Sequence, residues 1–111
     1  MTVKDLEQQL PLVCIQENYD NKDVTAIYTS DLLSDVLANA DDNAVLVTIQ
    51  AHKNTVAVGS VKESPAIIIC NDRPVPDDMI AAASLERIAL FTTSMNQYTV
   101  SGKIYLLLNG K

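Results

Sequence analysis

Ala44-Val45-Leu46-Val47-Thr48-Ile49 and Ala66-Ile67-Ile68-Ile69-Cys70 are two near-continuous apolar runs, and the chain between them decides the fold. Runs of aliphatic and β-branched residues without polar alternation mark strands buried on both faces. The intervening Asn54 to Glu63 is ambiguous. Val56 and Val58 alternate with small residues, as in a strand, and Gly59 lowers helix propensity. Two parallel neighbours, however, need a crossover of about a dozen residues, usually helical. The segment is therefore read as a helix between parallel strands.

Working outward, Val3 to Gln9 reads as a short polar helix capped by Thr2 and ended by Pro11. Leu12 to Ile15 and Val24 to Thr29 read as strands, joined through the turn-rich Asn18-Tyr19-Asp20-Asn21. Ser30-Asp31 is expected to cap a helix with Leu32, Leu33, Val36 and Leu37 on one face, stopped by Asn39 to Asn43. Beyond Cys70, Asn71-Asp72-Arg73-Pro74 breaks the run. Pro76-Asp77-Asp78 then opens a helix whose inner side is Ile80, Ala83 and Leu85. Ile88 to Thr92 reads as a fifth strand. Thr93 or Ser94 is expected to cap a last helix bearing Met95, Tyr98, Val100, Ile104, Leu107 and Leu108, closed by Asn109-Gly110. The order predicts an α/β domain with a mostly parallel five-stranded sheet covered on both faces.

A chain of 111 residues is one domain's worth, 1–111, and buries roughly two-thirds of its unfolded surface. Lys and Arg total 8 against 14 Asp and Glu, a net charge of −6. No basic cluster exists to neutralise phosphates, so nucleic acid and anionic membrane are poor partners. Cys14 and Cys70 each lie in an apolar run without metal-ligand spacing, and only one His is present. They read as buried free thiols, with a redox pair as the alternative. The start lacks a basic region followed by an apolar one, and no apolar stretch approaches the ~20 residues that span a bilayer. The expected location is cytoplasmic.

The informative pattern is at the carboxyl ends of the strands, where open α/β sheets hold ligands. There lie Thr29-Ser30-Asp31, Gln50-Ala51-His52-Lys53-Asn54, Asn71-Asp72-Arg73 and Thr92-Thr93-Ser94, each loop leading into a helix. Converging helix N-termini favour anions, and His52, Lys53 and Arg73 add the cations of the region. The competing reading is structural. Ser30, Asn54 and Ser94 are the residue types that cap helices anywhere. Asp31 reads equally as a cap or first-turn acid, Asp72 as an Asx-turn residue, and Lys53 and Arg73 as solvated charges. His52 is a general base, a ligand donor or a plain loop residue, with no nucleophile placed to work with it. Phosphate-loop and dinucleotide fingerprints are absent, so no catalytic residue, metal or cofactor is assigned.

Four segments carry a family resemblance extending from about Pro11 to Gly110. They are Tyr28-Thr29-Ser30-Asp31-Leu32-Leu33-Ser34-Asp35-Val36; Val47-Thr48-Ile49-Gln50-Ala51-His52-Lys53-Asn54; Ala66 through Pro76; and Ile88-Ala89-Leu90-Phe91-Thr92-Thr93. On these the chain resembles a stand-alone DRTGG domain, a module found beside CBS domains and in some phosphotransacetylases. It is also similar to the N-terminal domain of HPr kinase/phosphorylase. The name-giving Asp-Arg-Thr-Gly-Gly string is missing, and Asn71-Asp72 replaces a glycine-containing turn. The resemblance implies a three-layer sandwich acting as a regulatory or dimerisation module. It implies no kinase activity, which resides in a separate phosphate-loop domain of that family. It also points to a protein partner in redox or hydrogenase regulation.

The expected function is thus a non-catalytic homodimeric module sensing a small anionic ligand, a nucleotide or phosphorylated metabolite. Ala57, Gly59 and Ser60 would let a second copy approach closely, or equally serve to pack the helix against a crowded sheet. The alternatives are a pure protein-interaction domain, and a small enzyme or phosphoacceptor using Asp31, His52 and Asp72.

Overall fold

The computed structural model describes residues 1–110. Its elements run α1 (Val3–Gln9), β1 (Val13–Gln16), β2 (Ile27–Thr29), α2 (Leu33–Asn39), β3 (Val45–Thr48), α3 (Lys53–Val61), β4 (Ala66–Ile69), α4 (Asp77–Glu86), β5 (Ala89–Thr92) and α5 (Gln97–Asn109). The ambiguous crossover is helical. It joins β3 to β4, which pair in parallel with Leu46 opposite Ile67 and Thr48 opposite Ile69. The sheet order is β1-β5-β4-β3-β2, with β1 alone antiparallel.

Alternation along the strands divides the core into two layers. Val45, Val47, Ile68 and Phe91 face α1 and α5, where Val3, Leu6, Val100 and Ile104 meet them. Leu46, Ile67, Ile69 and Leu90 face the other way, onto Val36, Val56, Val58, Met79 and Ala83 of α2, α3 and α4. Every residue of β3 and β4 is buried, which explains their unbroken apolar sequence. At the start of α1 Thr2 is the cap, as expected, and Asp5 completes a capping box with it. Thr2 Oγ1 accepts from the Asp5 N–H at 3.3 Å, and the Asp5 carboxylate accepts from the Thr2 N–H at 2.9 Å.

Several expectations are corrected at element edges. The second strand is only Ile27–Thr29, because Val24 turns away to bond its N–H to the Met1 carbonyl. On α2, Leu32 and Leu37 are exposed while Val36 is buried and Leu33 partly so, since a seven-residue helix at the sheet margin covers little area. On α4, Leu85 points to solvent and Met79 takes its expected place in the core. On α5, Tyr98 and Leu107 are exposed. The last helix is capped by Asn96, whose side chain accepts from the Thr99 N–H at 2.9 Å, not by Thr93 or Ser94. Gly110 closes it in the left-handed conformation expected of a C-terminal glycine.

Of the small residues of α3, Ala57 is exposed, while Gly59 and Ser60 are engaged within the chain. Gly59 is buried against the sheet, and a Cβ there would meet the Ile67 Cδ1 atom at 3.4 Å. Ser60 donates to the Glu86 carboxylate at 2.7 Å. The two cysteines share one core cluster, Cys70 buried and Cys14 half-buried, and both are free thiols. With β5 between their strands they stand about 10 Å apart laterally, beyond disulfide reach. Burial raises the Cys14 thiol pKa and pushes that of Cys70 up to about 11.

Candidate functional site

The carboxyl ends of β2, β3, β4 and β5 do converge on one rim, as parallel pairing requires. Its two halves are built differently.

The half over β2 and β3 is bonded to itself. Beyond β2 the Ser30 N–H continues the ladder to the Val47 carbonyl, and the Ser30 hydroxyl accepts from the Leu32 N–H. This turn leaves Leu32 as the N-cap of α2 without a side-chain bond, so Ser30 is a turn residue rather than the expected cap. It also swings Asp31 over the end of β3. There one carboxylate oxygen accepts from the Thr48 hydroxyl, the Ile49 N–H and the Gln97 side-chain amide, all at 2.9 Å. Asp31 is therefore neither a cap nor an acid of the first helical turn. Gln50 returns its side-chain amide to the Asp31 carbonyl at 2.9 Å, and its own carbonyl accepts from Thr55 Oγ1 at 2.8 Å. Thr29 Oγ1 meets Ser101 Oγ at 2.6 Å, a second tie between this rim and α5.

Next along the rim, His52 caps α3. Its Nδ1 accepts from the Asn54 N–H at 3.0 Å, which places Asn54 inside the helix instead of at the cap. Lys53 and Asn54 are exposed on the first turn.

The half over β4 and β5 is open. Asn71 and Asp72 are both left-handed, with φ of 63° and 52°. Asn and Asp tolerate that region better than other side chains do, so a turn expecting glycine forms without one. Their N–H groups bond the Met95 and Thr93 carbonyls at 3.0 and 2.9 Å, hooking this loop to the one after β5. Thr93 is buried, donating to the Pro11 carbonyl at 3.0 Å and accepting from the Met95 N–H. Ser94 is exposed. Thr92 lines a groove with Ile15, Asp72, Arg73, Pro74, Val75 and Ile80. Among the described residues no carboxylate lies within ion-pair distance of the Arg73 guanidinium, nor of His52 or Lys53.

Of the residues singled out in sequence, Thr29, Ser30, Asp31, Gln50 and Thr93 spend their side chains on internal bonds. Among the described residues no hydrogen bond joins Asp31, His52 and Asp72, so the enzyme alternative has no assembled constellation. Sequence reasoning missed Gln97 and Ser101. Each is a polar residue on a helix far along the chain, and only the docking of α5 brings it to the rim.

No family model matches the chain. A stretch of 48 residues, 43% of the chain and 16% of the relative, is 38% identical to HPr kinase/phosphorylase of Streptococcus uberis. Among solved structures, 93% of the chain superposes at a TM-score of 0.72 and 12% identity on a regulatory region of Clostridium perfringens pyrophosphatase. That structure comprises CBS and DRTGG domains complexed with the activator diadenosine tetraphosphate. The chain spans less than half of either protein, 16% of the first and 45% of the second, so the likeness concerns the fold and not the activity of either whole protein. Among the described residues, no helix is long and apolar enough to cross a membrane. With a five-stranded mixed sheet between two helical layers, the chain shares its α/β fold with that CBS and DRTGG regulatory region.

Proposed function

We propose that the chain is a single-domain, non-catalytic regulatory module of the cytoplasm, homodimeric, binding a small anionic ligand at the carboxyl ends of its strands. The observation that carries this reading is the groove beside the Asn71-Asp72 turn. It offers apolar Ile15, Val75 and Ile80 next to an Arg73 guanidinium that has no ion-pair partner among the described residues. An apolar floor beside a planar cation suits a nucleobase or carbon skeleton joined to a phosphate. Lys53 extends the positive margin along the rim, His52 adds an imidazole, and Asn71, Asp72, Thr92 and Ser94 provide polar contacts. Thr29, Ser30, Asp31, Gln50 and Thr93 act as its scaffold.

Two further features support the reading. The C. perfringens regulatory region that shares this fold was solved with a dinucleotide polyphosphate, a ligand of the class proposed. Asp31, one of the acids of the enzyme alternative, spends one carboxylate oxygen on three internal donors and so ties β3 to α5.

The test is thermal unfolding against adenine nucleotides, diadenosine polyphosphates, phosphorylated metabolites and inorganic phosphate. A ligand at a hundred times its Kd adds about 2.7 kcal/mol, hence a midpoint rise of roughly 10–20 °C for a domain near this size. The rise is expected with a nucleotide or phosphometabolite and is lost in Arg73→Ala. A flat panel overturns the ligand site and leaves a protein-interaction domain. Turnover of a bound ligand, abolished by His52→Ala, overturns the non-catalytic assignment.

A further inference from the structure

The outer face of α5 is the most conspicuous surface that the proposed ligand site does not use. Tyr98, Gly102, Tyr105 and Leu106 fall at i, i+4, i+7 and i+8, on one side of the helix and opposite the buried Val100 and Ile104. Tyr98 is 86% exposed, Tyr105 64% and Leu106 55%. With Ile27 of β2 they line a shallow concavity, and nothing lies within 4 Å of where a Cβ would stand on Gly102. The adjoining β2 is an edge strand whose outer backbone groups have no strand partner, the kind of margin proteins usually cover.

Charge and area decide what covers this face. All 14 acids of the chain lie between Asp5 and Glu86, so none stands on α5, where Lys103 is the only charged side chain. Two copies of a chain with net charge −6 repel wherever acid-bearing surfaces meet, and meeting through α5 brings no acid of that helix to the contact. The groove between α3 and α4, another exposed apolar site, is bordered by Glu86. On area, the two tyrosines leave about 300 Å² exposed in each copy at ~200 Å² per aromatic side chain. With Leu106, Ile27 and the flanking residues, a twofold contact removes on the order of 1,000 Å², the lower bound for a specific interface. A patch meeting itself also closes after two copies.

We infer that the Tyr98–Tyr105–Leu106 face of α5, with the edge of β2, is where two copies of this chain associate about a twofold axis. The inference rests on the homodimer reading above and moves the contact from the small residues of α3 to α5. Tyrosine anchors at the centre of such a patch carry most of its affinity.

Sedimentation equilibrium over roughly 1–500 µM protein covers the range expected for an interface of this size. The wild-type chain is expected to pass from one to two copies within it. Tyr98→Asp and Leu106→Asp should stay single throughout with an unchanged far-ultraviolet spectrum. Tyr98→Ser, which adds no charge, should weaken association about tenfold or more. Leu85→Asp, on the exposed side of α4, should associate like wild type. Dimers that persist in both α5 aspartate variants, or that Leu85→Asp abolishes, overturn the α5 face and leave the homodimer standing. A wild-type chain that is single at every concentration overturns both.

Discussion

The two halves of the strand-end rim have similar residues and opposite construction. Over β2 and β3, Asp31 accepts three hydrogen bonds on one oxygen, and Gln50, Thr48 and Gln97 close the network around it. Over β4 and β5, the backbone of Asn71 and Asp72 makes the ties, while among the described residues the side chain of Arg73 has no partner. Polar composition therefore says little about which loop meets a ligand. What separates them is where the hydrogen-bonding capacity has gone. A satisfied carboxylate holds elements together, and an unpaired guanidinium beside an apolar groove is available to something outside the chain.

The sharpest way to break this contrast is Asp31→Ala. It strands the Thr48 hydroxyl, the Ile49 N–H and the Gln97 amide, one of them on a residue only 2% exposed. Orphaned donors of this kind are worth about 1–3 kcal/mol each where water cannot reach them. Two of the three lie nearer the surface, so urea unfolding should show a loss of about 2–4 kcal/mol. A loss below about 0.5 kcal/mol would mean that Asp31 is as free as Arg73.

An effect of intermediate size lies at the seam between the halves. Cys70 directly follows β4, and burial first, then the negative charge of Asp31, push its thiol pKa from an ordinary 9.0 to about 11. A thiol with a raised folded-state pKa favours the folded state fully below pH 9. That contribution is lost as pH rises through about 11. Stability should therefore decline across this interval, less steeply in Cys70→Ala. Alkylation followed against pH in Asp31→Asn should titrate below the wild-type value, and an unchanged profile would show that Asp31 does not act on Cys70.

The smallest effect is expected at Arg73. Arg73→Ala removes an exposed side chain with no ion pair and should shift urea stability by less than about 0.5 kcal/mol. A larger loss would show that the open half is also structural, and would weaken its use as a ligand probe.

Much of this arrangement was legible in advance. The unbroken runs at Ala44–Ile49 and Ala66–Cys70 demand burial on both faces, which demands parallel pairing and a helical crossover whatever the propensity of Val56, Val58 and Gly59. Thr2, and Asn109 with Gly110, announce helix ends through chemistry confined to a few neighbouring residues. The rim was legible as a place, because strand ends follow from strand order along the chain, but its division into scaffold and opening was not. Ser30 looks like a cap and forms a turn, while Asn54 looks like a cap and lies behind His52. Cap chemistry is shared by every nearby polar residue, so backbone geometry chooses among them.

Local patterning thus determined the class of fold, the number of strands, the crossover and the loops that could face a ligand, because burial and capping act over a few residues. Tertiary structure decided the antiparallel place of β1, the docking of α5 that brings Gln97 and Ser101 to the rim, the burial of Gly59, and the exposure of Tyr98 and Leu85. Each of these depends on partners distant in sequence, and a helix or strand carries no local record of which of its faces another element will cover.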